Sequence, residues 1–387
     1  MGKRVLFISE TVVMPVERGN RKRAFNLINS FKEAGCEVDY LYLDTYDHDD
    51  AAATREWIGE DHFYSFRNKK RSLPVFLKRK VRKVLEILHI PFLFRYYSVD
   101  EAISPDIDAF MKDFFEKHRY DVVLASYLFN SRPLLFAPEG CVKAIDTVNA
   151  FSFKRQMYDA VGYYNYQFSL KKEEEARGLK RADWVIAIQE DEEAFFRTIV
   201  PDRKHCTIGE NMPKTEAYVA EGRDVLFLGS YYVVNREGVN HFIKNIWPKV
   251  REAVPDARLK LAGSICKHVP DSPDYIKLGF VDDIGECYRS SRVVINPVHY
   301  GTGLNIKTIE ALSYAKPLVS YEVGVRGLNF DSPIALVAKD DREYAEAVIR
   351  LLKDDEKAME LSQNTELFLD EYREKNRAAI EAVINGA

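Results

Sequence analysis

Short apolar runs, each only three to six residues long, recur along this chain with stretches of helical period between them. Such runs read as buried strands, and strands alternating with helices build parallel sheets from βαβ units. In the first half the runs are Val5–Ile8, Val38–Leu43, Val122–Ala125, Cys141–Ile145 and Trp184–Ile188. Helical spacing lies between them at 24–31, closed by Ala34-Gly35, and around 105–118 and 154–181. A second series comprises Val225–Leu228, Leu259–Ala262, Ile276–Leu278, Val293–Ile295 and Leu318–Ser320, and Gly229, Gly263 and Gly279 close three of these runs. Between the two series, residues 213–223 lack a sustained apolar period and are expected to be the linker.

At 387 residues the chain exceeds one ordinary core, so two doubly wound α/β halves are expected, with the ligand between them. The expected boundaries are 1–215, 216–364 and a C-terminal helix at 365–387 that could pack back on the first half. With 46% hydrophobic and 30% charged residues the composition is that of a soluble globular protein. The amino terminus offers only Val5–Ile8 before Ser9 and Glu10, so it reads as a strand and not a secretory core. Five scattered cysteines without Cys-x-x-Cys spacing read as reduced thiols, and a cytoplasmic location is expected.

The net charge of −4 hides a basic strip. Residues 67–95 carry ten Lys/Arg against the single acid Glu86, interleaved with Leu73, Val75, Phe76, Leu77, Val81, Leu85 and Ile87. This pattern resembles an interfacial helix at an anionic membrane face more than a nucleic-acid arm, and a solvated basic helix is the plainer alternative.

The segment richest in chemistry runs from Val293 to Leu312: an apolar strand, a loop holding Gly301, Thr302 and Gly303, and an amphipathic helix taken to open there. Glycines let backbone N–H groups approach an anion, and a helix start adds partial positive charge. At helical spacing Gly303, Lys307, Glu310 and Tyr314 share one stripe. Lys307 suits a diphosphate and Glu310 a ribose diol, although a helix whose Lys307 and Glu310 merely face water has the same spacing.

This segment resembles the signature of family 4 of the retaining GT-B glycosyltransferases, in which two glutamates lie eight positions apart around a Gly-rich helix start. Glu310 matches the second glutamate, which holds the donor ribose in that family. Thr302 stands in place of the first, as in the Gly-Thr-Gly subset. Gly229-Ser230 with Asn235 and Gly238, then Gly279 to Asp283, and then Lys316 to Leu328 resemble further family segments. The family's diphosphate-gripping Arg and Lys correspond here to Ser230 and the neighbourhood of Arg236-Glu237.

The resemblance implies a UDP- or GDP-sugar donor, held by Gly229, Ser230, Arg236, Val281, Gly301, Gly303, Leu304, Asn305 and Arg326. Lys307, Thr302 and Glu310 would be the catalytic group. Arg18, Gly19, Asn20 and Asn149 would meet a glycan or polyprenyl-diphosphate-linked acceptor. The implied reaction is retaining sugar transfer in surface polysaccharide or glycoconjugate biosynthesis, without metal, cofactor or nucleic acid. Asp282-Asp283 reads as a turn, and His299 as a structural histidine. A GT-B epimerase or hydrolase, or an inactive nucleotide-sugar-binding protein, remains an alternative.

Overall fold

The computed structural model describes residues 2–16, 19–44, 50–67, 77, 80–82, 84–85, 87–88, 96–101, 103–160, 169–211, 214–301 and 304–386, with side chains undescribed at 154 and 157–160. The chain divides into two compact units. The first is Met1–Asn211 with Lys375–Ala387, and the second is Met212–Glu374.

The first unit is built on a seven-stranded sheet in the order β3-β2-β1-β4-β5-β6-β7. Its strands are β1 Arg4–Ser9, β2 Glu37–Asp44, β3 Phe63–Arg67, β4 Val122–Ser126, β5 Val142–Asp146, β6 Trp184–Ala187 and β7 Lys204–Thr207. All neighbours run parallel, with Val5 opposite both Val38 and Val122. Both faces are covered, which is why the central strands read as unbroken apolar runs. Alternate residues go to opposite faces. Leu6, Ile8, Val123 and Ala125 join one core with helix Asp106–Lys117, and Val5, Phe7, Val122 and Leu124 join the other with helix Gly19–Glu33. Each such Val, Leu, Ile or Phe side chain, fully buried, contributes roughly 1.5–3 kcal/mol. The last helix, Asp355–Asn385, ends in this unit, where Ile380, Val383 and Ile384 enter the second of these cores.

The second unit carries a six-stranded sheet in the order β10-β9-β8-β11-β12-β13. These strands are β8 Asp224–Leu228, β9 Arg258–Ala262, β10 Tyr275–Gly279, β11 Val293–Asn296, β12 Leu318–Tyr321 and β13 Ala335–Ala338. Again every pairing is parallel. Phe227, Leu261, Ile295 and Val319 form its core with Phe242, Trp247 and Val348 from the helices.

Three expectations need correction. The 154–181 stretch is not one helix: helix Phe151–Ala160 is followed, beyond the undescribed 161–168, by helix Lys172–Leu179. Gly19 and Asn20 lie in the first turn of helix Gly19–Glu33 and not in the loop before it, while Arg18 falls outside the described residues. The helix expected to open at Gly301-Thr302-Gly303 begins at Ile306, with Asn305 as its N-cap residue. Asn305 does not cap with its side chain; its amide instead donates to the Val323 carbonyl at 3.0 Å, and Leu304 is buried. Those two residues are therefore held in a loop.

Candidate functional site

In an open parallel sheet, a crevice forms at the carboxyl ends of the two central strands from which the strand order runs outward in opposite directions. In the second unit those strands are β8 and β11. The segments that leave them are Gly229-Ser230 and Pro297–Gly301, and helix Val233–His241 bridges the two.

That helix is shaped to lie on the β11 loop. A Cβ at Gly238 would come within 2.5 Å of the Pro297 carbonyl oxygen, so only glycine allows the approach. One turn earlier Asn235 donates to the Ser230 carbonyl at 2.9 Å, which fixes its amide and turns its Oδ1 toward Lys307. Glu237 accepts a hydrogen bond from the Tyr300 hydroxyl. His241 contacts Asp341 at 2.8 Å and packs edge-on to His299. Gly301 then adopts φ 152°, a backbone region reserved for glycine, and its carbonyl accepts from Arg326 at 3.1 Å.

Lys307 occupies the centre of this arrangement. Its ammonium donates to Asn235 Oδ1 at 2.5 Å, lies 3.5 Å from Asn296 Oδ1 and stands 5.9 Å from the Phe227 ring centroid. Asn296, the last residue of β11, is buried and also donates to Thr308 Oγ1 at 3.0 Å. Thr308 in turn donates to the Gly324 carbonyl at 2.6 Å. The hydrogen-bond partners of the lysine among the described residues are thus neutral amide oxygens. Part of the side chain reaches the surface, but the ammonium is surrounded by protein, and desolvation pushes its pKa down to about 7.

Glu310, one turn on, has a different set of partners. Its side chain is buried, and Oε2 accepts from the Tyr288 hydroxyl at 3.0 Å. Tyr288 stacks on Tyr314 with centroids 4.6 Å apart. Burial, then the neighbouring carboxylate, holds the Tyr288 hydroxyl far above its ordinary pKa, so it is a permanent donor.

The structure therefore groups Lys307, Gly229, Ser230, Gly301 and Arg326 around the β8 and β11 ends. Arg236 is partly exposed on the helix after β8, and among the described residues its guanidinium has no hydrogen-bond or ion-pair partner. Val281 follows β10, the sheet edge two strands from β8. Thr302 and Gly303 lie outside the described residues. Asp283 is an N-cap, accepting from Gly285 N at 2.8 Å and Glu286 N at 3.3 Å. Sequence reasoning did not assign roles to Asn235, Asn296 or Tyr288. An Asn that ends an otherwise apolar strand was the available signal for Asn296.

In the first unit the corresponding strands are β1 and β4. Gly19 and Asn20 follow the loop after β1, and Tyr127 follows β4 with φ 68°, an uncommon conformation for a non-glycine residue. Asn149 follows Val148, which has φ 59°, beyond β5. Buried Arg23 donates to Asp146 Oδ1 at 2.8 Å and to the Gly209 carbonyl at 2.8 Å, so the helix after β1, the end of β5 and the segment after β7 are tied together. One trio of metal-capable side chains, Glu37, Asp39 and His62, occurs among the described residues, but Asp39 is already bonded by Arg4, Tyr120 and His62. No helix of the described residues is long and apolar enough to cross a membrane.

Two Rossmann-like units with parallel sheets are the GT-B fold. Residues 222–354 match the family described as Glycosyl transferases group 1. Among solved structures, TarM of S. aureus has a TM-score of 0.67 at 12% identity, over 100% of this chain and 99% of that one. HepE of Anabaena in complex with UDP has a TM-score of 0.64 at 13% identity, over 98% of this chain and 99% of that one. In sequence the chain is similar to the "Uncharacterized 44.6 kDa protein in cps region" of Klebsiella pneumoniae, 23% identical over 162 residues, 38% of this chain. The match spans 42% of that relative's length. The matched domain and the fold together support a GT-B glycosyltransferase.

Proposed function

We propose that this protein transfers a sugar from a UDP- or GDP-sugar to a hydroxyl of a glycan or polyprenyl-diphosphate-linked acceptor, with retention at the anomeric carbon, in surface polysaccharide or glycoconjugate biosynthesis. The observation that carries the reading is the position of Lys307 beside the β8 and β11 ends, within the segment that matches the group 1 glycosyltransferases. UDP is the first choice of donor nucleotide, since HepE was solved with UDP.

In this reading the diphosphate lies beside Gly301, with Lys307 and Arg326 as its positive partners and Arg236 available at the rim. Glu310 receives the ribose hydroxyls. The bond between the sugar C1 and the phosphate oxygen breaks, and its electron pair stays on that oxygen. Lys307 and the start of helix Ile306–Ser313 stabilise the charge that develops there. The acceptor hydroxyl forms the new bond to C1 on the same face and gives its proton to the departing phosphate. No metal is required, because the cationic side chains supply the countercharge. The acceptor is assigned to the first unit, near Arg18, Gly19, Asn20 and Asn149.

The direct test is a thermal-shift panel of UDP, GDP and their sugars, followed by turnover assays. A donor at a hundred times its Kd should add about 2.7 kcal/mol of stability. Absence of any shift with every nucleotide would overturn the reading. Release of free nucleotide and sugar without acceptor dependence would favour a hydrolase.

Lys307 also makes the donor affinity depend on pH. Its pKa is lowered to about 7 by burial, so above neutrality the free protein holds a neutral amine. A diphosphate binds the ammonium better and so raises the pKa in the complex. Donor binding then takes up a proton, and affinity falls by up to about tenfold per pH unit above 7 until the complex itself titrates. Titration calorimetry at pH near 8, in buffers of different ionisation enthalpy, should report uptake approaching one proton per donor. Lys307→Met should report none, and equal heats for the wild-type protein in all buffers would refute the coupling.

A further inference from the structure

The described residues of the basic strip present an apolar stripe to solvent. Leu77, Val81, Val84 and Leu88 are 59%, 38%, 54% and 58% exposed, and neighbouring Ile87 is 68% exposed. At 100° per residue the first four fall within about 60° of one another, and so form a single helical face. Isolated exposed aliphatics are ordinary, but four on one face of a helical segment are a surface that normally has an occupant.

The opposite side of this segment is anchored. Arg82 is 6% exposed and bonds the Glu101 carboxylate, and it donates to the Tyr96 carbonyl at 2.6 Å. Its guanidinium carbon stands 3.8 Å from the Tyr97 ring centroid. Arg82 projects about 130° from the centre of the stripe, so its bonds hold the apolar face outward. Exposed Lys80 flanks the stripe, and in sequence Lys78, Arg79 and Lys83 are its neighbours, with Glu86 the single acid from 67 to 95.

We propose that this face docks on an anionic lipid surface, with Leu77, Val81, Val84, Ile87 and Leu88 entering the boundary between headgroups and acyl chains while the basic residues meet lipid phosphates. Charge identifies the occupant. A second copy of this chain would set basic strip against basic strip, whereas an anionic headgroup layer complements both the apolar stripe and its charges. The inference does not depend on glycosyl transfer.

The test is co-sedimentation of the full chain with vesicles of phosphatidylcholine alone and of phosphatidylcholine with about 30% phosphatidylglycerol. The wild-type protein should bind the anionic vesicles and not the neutral ones, with binding weakened by added salt. The double variant Val84→Asp, Leu88→Asp should bind the anionic vesicles about tenfold more weakly or worse. Both side chains are exposed, so its unfolding temperature and its response to donor nucleotides should match the wild type. A failure of the catalytic reading would appear only in the nucleotide response, and a failure of docking only in the vesicles. The proposal is overturned if the double variant binds as the wild type does, if neutral and anionic vesicles bind alike, or if the wild-type chain is a dimer that the double variant dissociates.

Discussion

Lys307→Met is expected to lower kcat by about a hundred- to a thousandfold, equivalent to roughly 2.7–4 kcal/mol of transition-state stabilisation. Methionine retains the length and apolar stem of lysine and removes only the charge and the donors. The loss should fall on kcat in addition to a weaker donor affinity, because the ammonium already attracts the bound diphosphate and the charge on the bridging oxygen grows further as the C1–O bond breaks. A structural contribution must be separated from this. Lys307 donates to Asn235 Oδ1, so its removal withdraws a donor from a buried asparagine at a cost of about 1–3 kcal/mol in stability. Unfolding temperature and single-turnover rate should therefore be measured on the same preparation. An unfolding temperature that falls while the rate stays within a fewfold of wild type would make Lys307 a brace for the asparagines and would remove it from the chemistry.

The sequence made the central strands legible and hid three of the four edges, for one physical reason. Strands such as Val122–Ser126 are covered on both faces, so every residue is apolar or small and the run stands out. Of the four edge strands, β10 is legible as Ile276–Leu278; Phe63–Arg67, Lys204–Thr207 and Ala335–Ala338 are the other three, β3, β7 and β13, each with a single neighbour. Their burial is broken by exposed residues, and five letters such as Phe-Tyr-Ser-Phe-Arg carry too little pattern to separate from a loop. The candidate site divides in the same way. The glycine-bearing turn and the helix after it could be read because they are contiguous. The bond from Lys307 to Asn235 spans 72 positions, and that from Tyr288 to Glu310 spans 22. Both arise from the order of strands in the sheet, which no local period encodes. The late start of the helix at Ile306 has a similar origin, since the Asn305 amide is drawn to Val323, 18 residues away. Backbone strain at Tyr127 and Val148 has no sequence signal, because neither residue type favours positive φ.

Glu310→Ala is expected to weaken binding of the nucleotide-sugar donor by about a hundredfold and to erase most of the donor-induced rise in unfolding temperature. A carboxylate that receives two ribose hydroxyls makes two charge-assisted hydrogen bonds, each contributing about 1.5–3 kcal/mol. Binding strength also depends on how firmly the acceptor is held before the donor arrives. Here the Tyr288 hydroxyl at 3.0 Å fixes Oε2, and Tyr314 stacked behind Tyr288 fixes the ring. Tyr288→Phe keeps the carboxylate and loses only this brace, so it should weaken donor binding about three- to tenfold. The alanine variant also leaves the Tyr288 hydroxyl buried without this acceptor, which lowers the stability of the ligand-free protein. The diagnostic quantity is therefore the increment produced by donor, measured from each variant's own ligand-free unfolding temperature. A full wild-type increment in Glu310→Ala, set on a lowered baseline, would show that the glutamate serves Tyr288 and not the ribose. The diphosphate could still lie beside Lys307 in that case, but the sugar ring of the nucleoside would have to be held elsewhere in the second unit.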